Sequence, residues 1–190
     1  MSRQNPRKLL ILDLDETLIY ATELALEREP DFLLGQYHVY QRPGLAAFLE
    51  FAFAQFNVAV WTSSSRPYGR GIVSQIMPNT HLQFLWARER CTYRMSHELQ
   101  CHYWVKDLKK VRRAYGVPLE TIVVVDDSPE KLERQYSNLV RVDPYFGSQS
   151  DDELHALVDF LKWLDGHDNI RPIEKRRWKA RCRGEDSDCP

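Results

Sequence analysis

The chain has 190 residues, 43% hydrophobic and 28% charged, with a formal net charge of −1. This length predicts one domain with a substantial core, and the near-zero charge excludes a global attraction to nucleic acid or membrane, so partners have to be recognised locally. Met1 to Lys8 is polar and leads into an apolar run of only four residues, Leu9 to Leu12, too short for a signal peptide or a membrane span; the expected location is the cytoplasm, or the nucleus in a eukaryote, where Cys91, Cys101, Cys182 and Cys189 read as free thiols.

Lys8 to Leu12 predicts a buried strand, and it runs into Asp13-Leu14-Asp15-Glu16-Thr17-Leu18. Residues i and i+2 of an extended chain share a face, so Asp13 and Asp15 are expected side by side at the strand end. Adjacent carboxylates repel and raise one another's pKa, so such a pair is tolerated where a cation or a shared proton lies between them. For this stretch alone, an Asp-rich turn is the plainer alternative. Glu27 to Asp31 then reads as a charged turn, and Phe32 to Leu34, Gly35 and Tyr37 to Tyr40 predict a small β-hairpin near the acids. Pro43 opens a helix through Gln55, with Leu45, Phe48, Leu49, Ala52 and Phe56 as its apolar stripe.

Asn57 to Trp61 predicts a second strand, ending in Thr62-Ser63-Ser64-Ser65, and Arg70 to Met77 a helix. Residues 81 to 105 mix aromatics and charges without a firm period. Lys106 to Tyr115 predicts a helix closed by Gly116, with Pro118 just beyond. Thr121 to Val125 is a β-branched run suited to the middle of a parallel sheet, and it ends in Asp126-Asp127-Ser128-Pro129. A short helix from Pro129, a strand over Leu139 to Val142 and a helix over 151 to 164 follow. Ser150 and Glu153 suggest a capping box, Leu154, Leu157, Val158, Leu161 and Leu164 a buried stripe, and Gly166 a stop.

Alternating strands and helices predict an α/β domain, a parallel central sheet flanked by helices, with ligands at the carboxyl ends of the strands. Three strand ends deliver Asp13 and Asp15, Thr62, and Asp126 and Asp127 to one rim. Four acids there need a positive partner. Oxygen ligands without His or Cys suit a hard divalent ion, and Mg2+ is the usual choice when phosphate is also bound. Lys106 stands where a helix N-terminus is already partly positive, so an anion is expected beside it.

In this order the motifs resemble the haloacid dehalogenase superfamily of phosphotransferases: Asp13-Leu14-Asp15-Glu16-Thr17, the hydroxyl of Thr62, Lys106, and Asp126-Asp127. Within it, Arg42-Pro43-Gly44, Lys106-Asp107-Leu108 and Asp126-Asp127-Ser128-Pro129 resemble the small phosphatases acting on the C-terminal domain of RNA polymerase II, over about residues 9 to 165. The resemblance implies a Rossmann-like fold and hydrolysis of phosphate monoesters through an aspartyl phosphate. Asp13 would be the nucleophile and Asp15 the acid and base. Thr62 and Lys106 would hold the phosphoryl oxygens beside Thr17 and Ser63, and Asp13, Asp15 (through its carbonyl), Asp126 and Asp127 would form the Mg2+ site. Many relatives carry Asp-Asn where this chain has Asp126-Asp127, and a small alanine is common at the place of Ser63.

Neither the interval from Asp13 to Thr62 nor that from Thr62 to Lys106 has room for a further domain of about 50 residues or more. A single capless domain over 1 to 166 with a charged tail over 167 to 190 is therefore expected, as a monomer and without a membrane partner. An uncapped site favours a phosphorylated protein or peptide, with phosphoserine, phosphothreonine or phosphotyrosine as the ester. Phosphorylated nucleic-acid ends or small molecules are the rival substrates, and a silent phosphopeptide-binding module is the non-enzymatic rival. Tyr37 and Tyr40 are expected as a wall for residues flanking the phosphate, or else as core. Cys91, His97, Cys101 and His102 have zinc-binding side chains, but their spacing matches no common site. Arg171 to Arg183 holds seven basic residues around Trp178, which reads as a solvated tail or a grip on an anionic partner.

Overall fold

The computed structural model describes residues 7–96 and 101–182. Its centre is β1 (Leu9–Leu12), flanked by β5 (Asn57–Trp61) on one side and β9 (Ile122–Asp126) on the other; β6 (Leu85–Trp86) and β10 (Leu139–Arg141) are the outer strands. All pairings in this five-stranded sheet, ordered β10-β9-β1-β5-β6, are parallel. A strand buried on both faces has to be apolar at successive positions. Leu10, Leu12, Val58, Val60, Val123 and Val125 accordingly face one core, while Leu9, Ile11, Ala59, Trp61, Ile122 and Val124 face the other.

The first core is closed by α1 (Leu45–Gln55) and α4 (Glu153–Asp165), with α2 (Arg66–Ile76) contributing Ile72 and Ile76; the second is closed by Leu108 and Val111 of α3 (Leu108–Tyr115) and by Phe84 and Trp86. The expected stripes pack as read, except that Val158 is only partly buried and Phe160 lies in the core. Helix boundaries moved for local reasons. Gly44, at φ 80°, caps α1, so the helix starts at Leu45 rather than Pro43; a Cβ there would meet His155 Cε1 at 2.7 Å. Asp107 caps α3 by accepting from the Lys109 N–H at 3.0 Å, which leaves Lys106 outside the helix. Ser150 forms no capping box: its Oγ pairs with Ser148, and Asp151 accepts from the Glu153 N–H at 3.1 Å.

The expected hairpin is larger than read. β2 (Ile19–Thr22), β3 (Phe32–Leu34) and β4 (Tyr37–Gln41) form an antiparallel sheet ordered β2-β4-β3, so the segment directly after the acidic motif is part of it. The unassigned stretch 81–105 holds β6 and an antiparallel ribbon of β7 (Thr92–Ser96) and β8 (Cys101–Val105). The zinc reading gains nothing: Cys91 is buried beneath the Thr62 carbonyl, the His102 ring stacks on Tyr93, and His97 and the Cys101 side chain lie outside the described residues.

Residues 167–182 depart most from expectation. Ile170 and Trp178 are buried in the first core, and the short α5 (Trp178–Cys182) packs on α4. The Trp178 indole donates to the Arg141 carbonyl at 2.6 Å, and Lys179 pairs with both Asp143 and Glu153. Within this stretch Ile170, Lys175 and Trp178 are buried, while Arg176, Arg177 and Arg181 are exposed. Among the described residues no helix is long and apolar enough to cross a membrane.

Candidate active site

The acidic motif begins where β1 ends. The Asp13 N–H extends the ladder to the Val125 carbonyl at 3.0 Å, and the chain then curls so that the N–H groups of Thr17, Leu18 and Ile19 all point at the Leu14 carbonyl. Glu16 carries the turn at φ 57°, a conformation that costs a non-glycine residue energy and is concentrated at functional sites. Arg42 holds the loop from below. Fully buried, it makes a two-pronged pair with Asp151 at 2.8 Å and donates to the Thr17 carbonyl at 3.1 Å.

Asp13 and Asp15 occupy opposite electrostatic environments. Burial alone would raise the Asp13 carboxyl, but Lys106 at 3.0 Å and Lys131 at 2.7 Å override it and hold the group at about 2. Asp15 turns instead to hydroxyls: Tyr68 Oη donates at 2.5 Å, Ser64 Oγ at 2.7 Å and Thr62 Oγ1 at 3.5 Å. Burial and the charge of Asp13 outweigh those hydrogen bonds and push the Asp15 carboxyl up. The two neighbouring carboxyls are thus shifted in opposite directions, Asp13 down and Asp15 up.

Asp126, fully buried at the end of β9, is pushed up to about 6 by burial and by Asp13, against the opposing pull of Lys106 and Lys131. Lys106 Nζ donates to it at 2.6 Å, and the Ser128 N–H at 3.0 Å. Asp127 accepts from Ser128 Oγ at 2.8 Å and from Thr17 Oγ1 at 3.3 Å. Thr17, expected to bind substrate, is fully buried, with its hydroxyl turned to Asp127. Thr62 is also buried, its N–H on the Trp86 carbonyl at 3.0 Å, while Ser63 lines the cleft.

Carboxylate oxygens of Asp13, Asp126 and Asp127 all lie within 4.8 Å of one another, the one such His, Cys or acid cluster among the described residues. The buried Asp13 Oδ1 faces the Lys106 ammonium at 3.0 Å. An all-oxygen set of three carboxylates fits a hard divalent cation. The Asp15 carboxylate is not part of this cluster and is held by Tyr68, Ser64 and Thr62.

A cleft of about 540 Å3 opens over the site, lined by Asp15, Glu16, Tyr37, Ser64, Tyr68 and Lys131. Burial and the nearby Asp15 and Asp127 charges push the Glu16 carboxyl to about 7. Tyr37 meets Tyr68 edge-on at 5.7 Å on the cleft wall. Tyr40 does not join it: the ring is fully buried, and its hydroxyl accepts from the Leu26 N–H at 2.8 Å and donates to the Arg28 carbonyl at 3.3 Å. The sequence reading missed Ser64, Tyr68 and Lys131. Their signals were a second hydroxyl after Thr62, a tyrosine in the first turn of the next helix, and a lysine four residues after Asp127.

Residues 8–171 match the family described as NLI interacting factor-like phosphatase. The chain is 29% identical over 182 residues to CTD small phosphatase-like protein 2 of Dictyostelium discoideum, covering 92% of this chain but 30% of that protein. It is 28% identical over 189 residues to CTD nuclear envelope phosphatase 1 of Xenopus tropicalis, covering 91% of this chain and 73% of the relative. Among solved structures, fission yeast RNA polymerase II CTD phosphatase Fcp1-R271A bound to beryllium fluoride superposes with a TM-score of 0.55 at 20% identity, over 86% of this chain and 53% of that one, a likeness of fold. The motifs, the parallel sheet that presents them and the match over 8–171 agree, and the chain belongs to the NLI interacting factor-like phosphatase family.

Proposed function

We propose that this protein hydrolyses phosphoserine or phosphothreonine esters in proteins, with Mg2+ as cofactor and a phosphoryl group carried on Asp13. The observation that supports it most is the opposed protonation of two neighbouring carboxyls, Asp13 held ionised by Lys106 and Lys131 and Asp15 held toward its neutral form. Pairs pushed apart in this way divide into nucleophile and acid. An oxygen of Asp13 attacks phosphorus and the ester P–O bond breaks as Asp15 gives its proton to the departing alkoxide. Water then attacks the aspartyl phosphate, Asp15 takes the water's proton, and breaking the acyl P–O bond returns the Asp13 carboxylate and inorganic phosphate. Lys106, fixed by Asp13 and Asp126, offsets the charge on the phosphoryl oxygens, and Thr62 adds a hydroxyl beside Asp15. Asp13, Asp126 and Asp127, with the Asp15 carbonyl, would hold Mg2+, which supplies further charge neutralisation and alignment.

The open cleft and its Tyr37 wall favour an extended peptide over a small metabolite. The relatives named as CTD phosphatases support the same class. The test is a comparison of initial rates on phosphoserine and phosphothreonine peptides, 3'- and 5'-phosphorylated oligonucleotides and sugar phosphates, with Mg2+ and with EDTA. The peptides are expected to lead, and only with Mg2+. Oligonucleotides cleaved far faster than peptides would replace this reading with that of a nucleic-acid end phosphatase.

A further inference from the structure

The catalytic scheme uses one lysine, yet the site holds two. Lys131 Nζ lies 2.7 Å from Asp13 Oδ2, 3.3 Å from Asp126 Oδ1 and 3.7 Å from Asp127 Oδ1. It therefore touches every member of the acidic cluster that suits a divalent ion. Mg2+ needs carboxylate oxygens at about 2.0–2.1 Å in a nearly octahedral shell. An ammonium within hydrogen-bond distance of the same acids crowds that shell.

Charge points the same way. Asp13, Asp126 and Asp127, if all ionised, carry three negative charges, which Lys106 and a divalent ion would balance; Lys131 then adds a positive charge that these three acids no longer need. Its route out is short, because Lys131 lines the open cleft beside Asp15 and Tyr68, with its side chain 15% exposed. Its backbone is fixed, since its carbonyl accepts from the Lys106 N–H at 2.7 Å and its own N–H donates to the Ser128 carbonyl at 3.1 Å. Only the flexible four-carbon stem has to swing.

We propose that Lys131 is a two-position residue: Mg2+ displaces its ammonium from Asp13, Asp126 and Asp127, and the displaced ammonium becomes a ligand for the substrate phosphate in the cleft. This inference rests on the metal-assisted phosphatase reading. It makes metal and lysine competitors for the acids, and lysine and phosphate partners once the metal is bound.

Calorimetric titration of the full chain separates the two ideas without a turnover assay. Mg2+ is titrated into wild type, Lys131→Met, Lys131→Gln, Asp127→Ala and Arg88→Met; inorganic phosphate is then titrated at saturating Mg2+. Arg88→Met removes a cation from the same cleft, where Arg88 Nε donates to the Ser63 carbonyl at 2.7 Å. Both Lys131 variants are expected to bind Mg2+ about tenfold more tightly and phosphate about tenfold more weakly, the scale of one charge-assisted hydrogen bond. Arg88→Met is expected to leave Mg2+ binding within about twofold, since this exposed charge is largely screened. If both Lys131 variants match wild type for Mg2+ while Asp127→Ala binds it more weakly, the lysine proposal is overturned and the metal-assisted reading stands. Equal tightening in Arg88→Met overturns it too, by reducing the effect to general charge. Failure of every protein to bind Mg2+ overturns both.

Discussion

Replacing Tyr68 by Phe removes one atom from the site and tests the assignment of Asp15 as the acid. The Tyr68 hydroxyl donates to Asp15 Oδ1 at 2.5 Å, and that bond stabilises the ionised carboxylate against the burial that pushes it up. Loss of a hydrogen bond to a charged group costs about 1.5–3 kcal/mol. At about 1.4 kcal/mol per pKa unit, the Asp15 carboxyl should rise by roughly one to two units. The sign follows from the step served. Asp15 must be protonated to release an alkoxide, so a higher pKa lets kcat/KM persist to higher pH, and the alkaline limb for a phosphoserine peptide should move up by about one to two units. With p-nitrophenyl phosphate the leaving phenolate needs little proton donation, and its limb should move much less. The assay is kcat/KM across pH for both substrates and both proteins, with melting curves to confirm that the variant keeps its stability. An unmoved peptide limb, or equal shifts for both esters, would refute the assignment of Asp15.

Three further outcomes follow from the same geometry. Asp127→Ala removes a charged oxygen donor and should raise the Mg2+ concentration needed for half-maximal activity by about tenfold or more, whereas Asp127→Asn, which keeps an oxygen on Thr17, should be milder; Mg2+ titrations of peptide turnover distinguish them. Tyr37→Ala should lower kcat/KM for a phosphopeptide and spare p-nitrophenyl phosphate, while Tyr40→Ala should impair both and cost about 3 kcal/mol or more of stability, because Tyr40 is core; a peptide-specific defect in Tyr40→Ala would reverse that division. Trp178→Ala should cost about 3–5 kcal/mol and lower the Tm by on the order of ten degrees, and truncation after Gly166 should destabilise comparably; an unchanged melting curve for either would return 167–182 to the status of a tail.

What could be read from sequence was what short-range physics dictates. Apolar runs ending in acids or hydroxyls located the strand ends, because a strand covered by helices on both faces has no freedom to be polar until it leaves the sheet. Asp13, Asp15, Thr62, Lys106, Asp126 and Asp127 accordingly meet where expected. Tertiary folding decided the rest. Nothing local tells which lysine after Asp127 folds back onto Asp13, or that Tyr68 rather than Tyr40 reaches the cleft. Thr17 sits inside the motif, yet the curl onto the Leu14 carbonyl turns it inward to Asp127. β6 has two residues, and β7 leaves Tyr93 and Met95 exposed, so neither gives a clear period. In the basic run, the charges hid the anchors: Ile170 and Trp178 are apolar, and both are buried.

The proposed mechanism stands or falls on whether Asp13 carries the phosphoryl group. Acid quenching during turnover of a phosphopeptide, followed by borohydride reduction and peptide mapping by mass spectrometry, converts an aspartyl phosphate to homoserine and marks its position. Conversion is expected at Asp13 alone, dependent on Mg2+ and absent from Asp13→Asn, which should fold normally and show no turnover. Phosphate release without conversion at Asp13, conversion at another carboxylate, or wild-type turnover by Asp13→Asn would contradict it.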